Sequence, residues 1–359
     1  MDNKRWKKYL PIDKQIEKLR KKNLIISEED VAKKILIRNS YYNLINGYKD
    51  CFLCETSKAQ GIERFEDNVD FKNIYKLYSF DADLRQNILN VSLAIEEDLA
   101  STIAYVISDV YGDNHLNYLH RNKLRTGDKL KPRKKRSVTT EREDFLYRVQ
   151  GKIKNINEGP LKHYKDNYEN IPAWILVKSL TFGNLKMWYK LSKPTIKNKI
   201  VGTFFAKKEE EVTDDDKELF IKCLEIVNQF RNKAAHGGRT YNYCGEIELP
   251  YNGYHYDALQ ITQDQYNQGM GKSDLTAFIM ATFALTGASA YYDMSLFRFV
   301  LTFQSDLASY IKHNKEFYPR VLKHMNIEAN IMHKLIPYSA FPKNFAEMLL
   351  REELENISN

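Results

Sequence analysis

Cysteine, proline and glycine are all scarce in this chain, and each shortage limits what the fold can be. The 359 residues include 4 Cys, 9 Pro and 15 Gly, so few residues interrupt helices and long helices are favoured. Four cysteines are too few for a disulfide framework at this length, and Cys51 and Cys54 lack the second pair that a zinc site needs. We therefore expect reduced cysteines in a cytoplasmic protein, with no metal ion or other cofactor.

Long hydrophobic runs are also few. Residues 1–22 carry charges throughout, so we expect no signal peptide. Residues 275–292 contain no charge, but they include three threonines, and Ser273 is placed to cap the start of a helix. We interpret this stretch as a buried core helix and expect no membrane association. The sequence also contains no P-loop, no internal repeat and no array of metal-ligating residues.

The chain is modestly basic and rich in aromatic residues. Its formal net charge is +8, which suits a polyanionic partner, and its 24 Tyr and 18 Phe offer faces on which bases can stack. Residues 121–136 carry nine basic residues opposed only by Asp128, and Gly127 and Pro132 exclude a helix there. We predict a mobile loop that contacts phosphates; the alternative is a solvated run of charge. The candidate phosphate ligands in its second half are Lys131, Arg133, Lys134, Lys135 and Arg136.

Two long stretches have the apolar spacing of helices that pack together. Residues 71–108 carry a sustained apolar stripe. Residues 214–236 carry a second one, with three aspartates at the start and Gly237-Gly238 placed to end the helix. We predict that these two helices bury their stripes against each other. The stripe of the first consists of Leu84, Ile88, Val91, Ile95, Leu99, Ile103 and Val106.

The remaining segments also favour helices, so we predict an all-α fold. Residues 12–37 indicate two short helices broken at Asn23, and residues 141–191 and 293–352 indicate further helices. Residues 39–49 are too rich in Tyr and Asn for a plain linker and are compatible with a packed turn. Residues 241–257 are rich in Tyr, and Asn252-Gly253 is typical of a hairpin, so we expect a short hairpin or a folded loop.

Arg231 and His236 are the candidate catalytic pair, although they project roughly 140° apart on an ideal helix. They would converge on one phosphate if the helix unwinds at Gly237 or if a second copy of the helix is apposed. Metal-free RNA cleavage needs only such a pair, because the RNA supplies its 2′-OH as nucleophile, a histidine transfers protons and a cation stabilises the phosphorane. The alternative is a histidine that caps an ordinary helix and an arginine on its surface.

Several short motifs follow one another along the chain: YYNLINGY at 41–48, FDADLR at 80–85, IE at 95–96, PAWIL at 172–176, LTFGNL at 180–185 and FRNKAAHGGR at 230–239. In this order they resemble the AbiD/AbiF-like abortive-infection (Abi) proteins of bacteria, which carry a HEPN ribonuclease domain. The resemblance covers roughly residues 12–245 and leaves the C-terminal third unmatched.

This resemblance implies a HEPN-like helical bundle with additional N- and C-terminal helices. It implies that Arg231 and His236 form the catalytic motif with Asn232, and that two motifs meet at a homodimer interface. It also implies a role in phage defence or toxin–antitoxin systems, with a structured small RNA as a partner. We expect an N-terminal helical region at 1–70, a HEPN-like domain at 71–320 containing the basic loop 121–140, and a C-terminal extension at 321–359.

The leading hypothesis is a metal-independent endoribonuclease that leaves a 2′,3′-cyclic phosphate and a 5′-OH. His236 would be the general acid or base, Arg231 would stabilise the phosphate, Asn232 would position one of them, and Arg239 would bind a neighbouring phosphate. The alternative is a non-catalytic module that holds a small RNA. A membrane-associated effector is a third possibility, which rests on residues 275–292 alone.

Overall fold

The computed structural model describes residues 8–131, 139–252, 259–286, 295–328 and residue 334. These residues form helices and four isolated β-bridges but no sheet, which confirms the prediction of an all-α fold. In chain order the α-helices are α1 (Ile12–Lys21), α2 (Glu29–Asn39), α3 (Glu55–Ala59), α4 (Phe71–Tyr111), α5 (His115–Tyr118), α6 (Glu141–Asn155), α7 (Gly159–Asn167), α8 (Ala173–Leu176), α9 (Phe182–Leu191), α10 (Pro194–Phe205), α11 (Asp214–Ala235), α12 (Gln263–Asn267), α13 (Leu275–Thr286), α14 (Ser295–His313) and α15 (Tyr318–Met325).

Helix α4 spans 41 residues and is the axis of the packing. Asp70 begins it by accepting from the backbone N–H of Lys72, while the side chain of Asn73 accepts from the backbone N–H of Asp70. All seven residues of the predicted stripe are buried. Helices α11 and α14 pack along α4, and α13 packs on α11. The predicted pairing of the two long helices is therefore confirmed.

The N-terminal segments pack on the first half of α4. Helices α1 and α2 are separated at Asn23, which has a φ of 71°, as the sequence indicated. Residues Tyr42–Asn46 form a π-helical turn and Lys49–Phe52 a 3₁₀ turn, so the aromatic segment is a packed turn. A continuous buried cluster runs from Ile16 to Ile327. The proposed division into three regions stays a prediction.

Helix α13 occupies the interior. Ten of its twelve residues are buried, including Thr276, Thr282 and Thr286, which agrees with the interpretation of a core helix as far as Thr286. Residues 287–292 lie outside the described part of the chain. Among the described helices, none combines the length and the apolar character needed to cross a bilayer.

The segment after α11 is a folded loop as far as the structure describes it. Residues 241–252 contain turns and bends but no strand. Tyr241 and Leu249 are buried, and the ring of Tyr243 lies 5.0 Å from that of Phe230 in an edge-on arrangement. The hairpin signal at Asn252-Gly253 falls at the edge of residues 253–258, which the structure does not describe. Of the two expected forms, a hairpin or a folded loop, the described residues 241–252 adopt the folded loop.

Candidate functional site at the C-terminal end of helix α11

The last turn of α11 positions the motif residues, and its ending follows from the two glycines. The N–H of Gly237 donates to the carbonyl of Ala234 (3.0 Å), and the N–H of Gly238 donates to that of Lys233 (2.9 Å). Gly237 has a φ of 64°, a conformation that is strained for residues with a Cβ atom. A Cβ atom on Gly238 would lie 2.7 Å from the side chain of Lys233. His236 is thus the capping residue of a helix that must end here.

Arg231 faces α4, where it meets a carboxylate. One of its terminal nitrogens lies 3.6 Å from Oε2 of Glu96, and its Nη1 lies 3.4 Å from Oδ1 of Asn232. Nε of Arg231 and Oε2 of Glu96 are both buried without a hydrogen-bond partner. The ion pair therefore holds the guanidinium in position, while the Nε–H of Arg231 and Oε2 of Glu96 make no hydrogen bond.

Burial raises the pKa of Glu96, and the charge of Arg231 and the backbone N–H of Phe182 oppose that rise. Phe182 is the first residue of α9, which begins after the cap Thr181. Glu96 therefore links the start of α9 to the motif arginine. Glu96 is therefore the carboxylate of α4 that lies beside Arg231.

Asn232 and His236 are exposed, as a site for a large substrate requires. Both lie at the open end of α11, and the backbone N–H of His236 donates to the carbonyl of Asn232 (3.1 Å). Within the described residues, no hydrogen bond or ion pair joins the side chains of Arg231 and His236. Within one chain the guanidinium of Arg231 and the imidazole of His236 are therefore not in contact.

Arg239 follows the glycines and lies against the N-terminal segment. It donates to the carbonyl of Gly47, its Nη1 lies 3.9 Å from Oδ2 of Asp50, and its guanidinium stands 5.9 Å from the centre of the Tyr241 ring. About a third of the side chain remains exposed. Arg239 is therefore already partnered, and its proposed contact with a phosphate would have to use that exposed part.

Sequence reasoning missed the residue that fixes this region, the fully buried Asp81 on α4. Its carboxylate accepts from the hydroxyl of Tyr48 (2.6 Å) and from Nη1 of Arg85 (2.7 Å). It also accepts from the backbone N–H of Thr240 (3.0 Å), from the Thr240 hydroxyl (2.5 Å) and from the backbone N–H of Tyr241 (2.7 Å). Residues of the motifs at 41–48 and 80–85 thus meet the two residues that follow the motif at 230–239 on one carboxylate. Asp81 is part of the FDADLR motif, so the sequence did mark this residue. Its role as the acceptor for these donors became visible only in the folded structure.

The basic segment lies away from this end of α11. The expectation that this segment contains no helix is wrong at its start, where Arg121–Lys123 forms a 3₁₀ turn before Gly127 and Pro132 are reached. Further along the described part, Leu124 bridges to Ser192 and Lys129 bridges to Thr140. Lys131 is exposed. The other four candidate phosphate ligands, Arg133, Lys134, Lys135 and Arg136, lie outside the described residues. In the described ranges no three His, Cys, Asp or Glu side chains group as metal ligands.

Comparison with known proteins identifies a family. The family model described as "Abi-like protein" matches residues 34–242, which is more than half of the chain. That range contains the π-helical turn, the carboxylates of Asp81 and Glu96, and the complete motif at the end of α11. No curated protein and no solved structure matches the sequence.

Proposed function

Because the chain belongs to the Abi-like protein family, which links it to abortive infection and phage defence, we propose that it is a HEPN-type endoribonuclease acting in the cytoplasm. The observation that carries the proposal is the end of α11. A capped helix terminus presents an exposed histidine, and five residues earlier an arginine is oriented by the partly buried carboxylate of Glu96. This pair supplies the two functions that RNA cleavage by its own 2′-OH requires.

In the proposed reaction His236 removes the proton of the ribose 2′-OH, and the oxygen attacks the adjacent phosphorus. The 5′-oxygen of the next nucleotide leaves and takes up a proton, either from a histidinium or from water. The guanidinium of Arg231 stabilises the negative charge on the phosphorane, and Asn232 holds the guanidinium through its Oδ1. The products are a 2′,3′-cyclic phosphate and a 5′-OH, and no metal ion takes part.

We propose that the working unit is a homodimer in which two α11 ends face one cleft. The side chains of Arg231 and His236 project roughly 140° apart on an ideal helix and make no contact within one chain. An apposed second copy would bring the arginine of one chain near the histidine of the other. We also propose that the protein binds a structured small RNA, which regulates it or serves as its bound partner.

The direct test is cleavage of a fluorescent RNA by the purified protein and its variants. We expect His236→Ala to lower kcat by about 10²- to 10⁴-fold, the usual contribution of proton transfer. Arg231→Ala should lower it by about 10²- to 10³-fold, because one charge-stabilising donor is lost. A 2′-deoxy substitution at the cleaved nucleotide should block the reaction, and EDTA should leave it intact.

Two matched variants serve as controls. His313 is an exposed histidine at the end of α14, and Arg148 is an exposed arginine paired with Asp144 (2.6 Å) on α6. Alanine at either should leave cleavage unchanged. Expression of an active nuclease should also arrest cell growth. If His236→Ala relieves this arrest only because the variant no longer binds RNA, the protein is a binding module and the nuclease proposal fails. Inhibition by EDTA that Mg²⁺ reverses, with the RNA fold unchanged, would contradict the metal-free mechanism.

A further inference from the structure

Lys197 on α10 is a partly buried cation without an anionic partner. It forms no ion pair or side-chain hydrogen bond with the described residues, and its ammonium stands 5.3 Å from the centre of the Tyr189 ring. Burial and the nearby charges of Arg125, Lys190 and Lys217 lower its pKa to about 8. A cation in such surroundings destabilises the folded protein unless an anion joins it.

Of the four cations near Lys197 in the structure or the sequence, two are neutralised by carboxylates and two are not. Lys190 pairs with Asp128 (2.8 Å) and Glu141 (2.7 Å), and Lys217 pairs with Asp214 (2.9 Å). Arg125 and Lys193 form no ion pair among the described residues, and both are exposed.

The backbone brings these free cations together. The N–H of Arg125 donates to the carbonyl of Leu191 (2.7 Å), next to the bridge between Leu124 and Ser192. The N–H of Lys197 donates to the carbonyl of Lys193 (3.0 Å). Arg125 and Lys197 therefore lie close enough for their charges to interact, and Lys193 immediately precedes α10, one turn before Lys197, so the three unneutralised cations come from two chain segments that lie side by side.

This group stands at a defined distance from the motif. Lys217, beside Lys197, precedes Arg231 by 14 residues on α11, which is about 21 Å at 1.5 Å per residue. On an ideal helix the two residues lie only roughly 40° apart around the axis. Helix α9 runs alongside this interval, since it begins at Phe182 beside Glu96 and ends beside Arg125, and its 10 residues cover about 15 Å of it. About six stacked nucleotides at 3.4 Å each would cover the full distance of about 21 Å.

We propose that Arg125, Lys193 and Lys197 form a second phosphate-binding site, which holds the RNA backbone about six nucleotides from the bond that is cut. This inference rests on the proposed function for its substrate, but it can be tested without cleavage. The site would select RNAs long enough to reach from the motif to these three cations, so it would act on substrate affinity and leave the chemical step unchanged.

The test is binding of a fluorescein-labelled 12-nucleotide single-stranded RNA to the His236→Ala protein across a salt series. Adding Lys197→Met should weaken binding several-fold and reduce the log–log salt slope by about 0.7, the value for one phosphate contact on a single strand. The Tm should stay the same or rise, because the substitution removes a partly buried cation. A residue with only a structural role would lower the Tm instead.

The matched control is Lys312→Met near the end of α14. Asn314, just beyond it, contacts Asn73 at the start of α4, whereas α10 contacts Asp109 near the other end. The two ends of α4, a helix of 41 residues, are roughly 60 Å apart, so the control removes the same charge far from the site. Arg125→Gln, at an exposed position, is the second test variant.

In the His236-intact protein, Lys197→Met should raise KM for the 12-nucleotide RNA, leave its kcat unchanged, and leave cleavage of a four-nucleotide RNA unchanged. Affinity and salt slope equal to those of the Lys312 control would overturn the site, as would a loss of affinity accompanied by a lower Tm. Inorganic phosphate could also displace the RNA when its concentration equals that of the phosphate groups in the RNA. The site would then bind a small anion, and the proposal of an RNA-binding site would be wrong. If the intact protein cleaves neither RNA, the proposed function fails, and the binding series still decides this site.

Discussion

Asp81 shows how one residue can hold a functional region in place. Five donor groups converge on its buried carboxylate, from Tyr48, Arg85, Thr240 and Tyr241. Three of these donors belong to the two residues that directly follow the motif. The carboxylate thereby attaches the chain beyond His236 to α4, and the geometry of the motif depends on it.

We predict that Asp81→Ala destabilises the protein by roughly 3–5 kcal/mol, because it leaves the Arg85 guanidinium and several backbone donors without an acceptor. Urea unfolding measures this loss. Asp83, two residues later and exposed, is the control, and Asp83→Ala should change stability by no more than about 0.5 kcal/mol. Equal effects of the two substitutions would contradict the central role of Asp81.

Glu96 has a different relation to stability, because burial raises its pKa. A carboxyl whose folded pKa exceeds its unfolded pKa lowers stability as pH rises through those two values. Glu96→Gln should therefore raise the Tm at pH 7 and leave it unchanged at pH 3, well below both pKa values, where the carboxyl is protonated in both states. The same substitution should lower kcat while KM changes little, because Arg231 loses the group that orients it. A fall in Tm at pH 7 would show that the ion pair stabilises the fold.

At the scale of single elements, the end of α11 is where the sequence was most informative. Gly237 is required by its φ of 64° and by the hydrogen bonds that close the helix. Gly237→Ala should cost about 1 kcal/mol of stability. It should also lower kcat, because the strained turn moves His236. Thermal unfolding and cleavage assays on the same samples measure both effects.

Gly151, inside α6, is the matched glycine. A Cβ atom there would meet no atom within 4 Å, and its φ is not positive. Gly151→Ala should therefore stabilise the protein by roughly 0.5–1 kcal/mol, because alanine suits a helix interior better than glycine. If both alanine variants behave alike, the left-handed turn at Gly237 does not control the helix end.

The elements that could be predicted are those set by local chemistry. The apolar spacing of α4, the aspartates and glycines that bound α11, and the break at Asn23 all act within a few residues, and the structure has them where the sequence indicated. The contacts of Asp81 join positions 33 and 159 residues apart. No local pattern encodes such contacts, so the residue that fixes the motif became evident only from the fold.

At the scale of the whole molecule, the separation of Arg231 and His236 within one chain leads to a prediction about assembly. If two copies meet at their α11 ends, each cleft combines the arginine of one chain with the histidine of the other. A mixture of Arg231→Ala and His236→Ala proteins would then contain heterodimers with one intact cleft. After unfolding and refolding together, we expect about a quarter of wild-type cleavage, since random pairing makes half of the dimers mixed and each has one working site.

Each variant refolded alone should remain inactive, and light scattering should show dimers in every sample. The decisive comparison is between chains refolded together and chains refolded separately and then combined, because only the first can form mixed dimers at once. Restored cleavage in the first sample alone would establish a shared site. Dimers that never regain cleavage would place both groups of each site in one chain, and helix α11 would then have to unwind at Gly237 for Arg231 and His236 to reach the same phosphate.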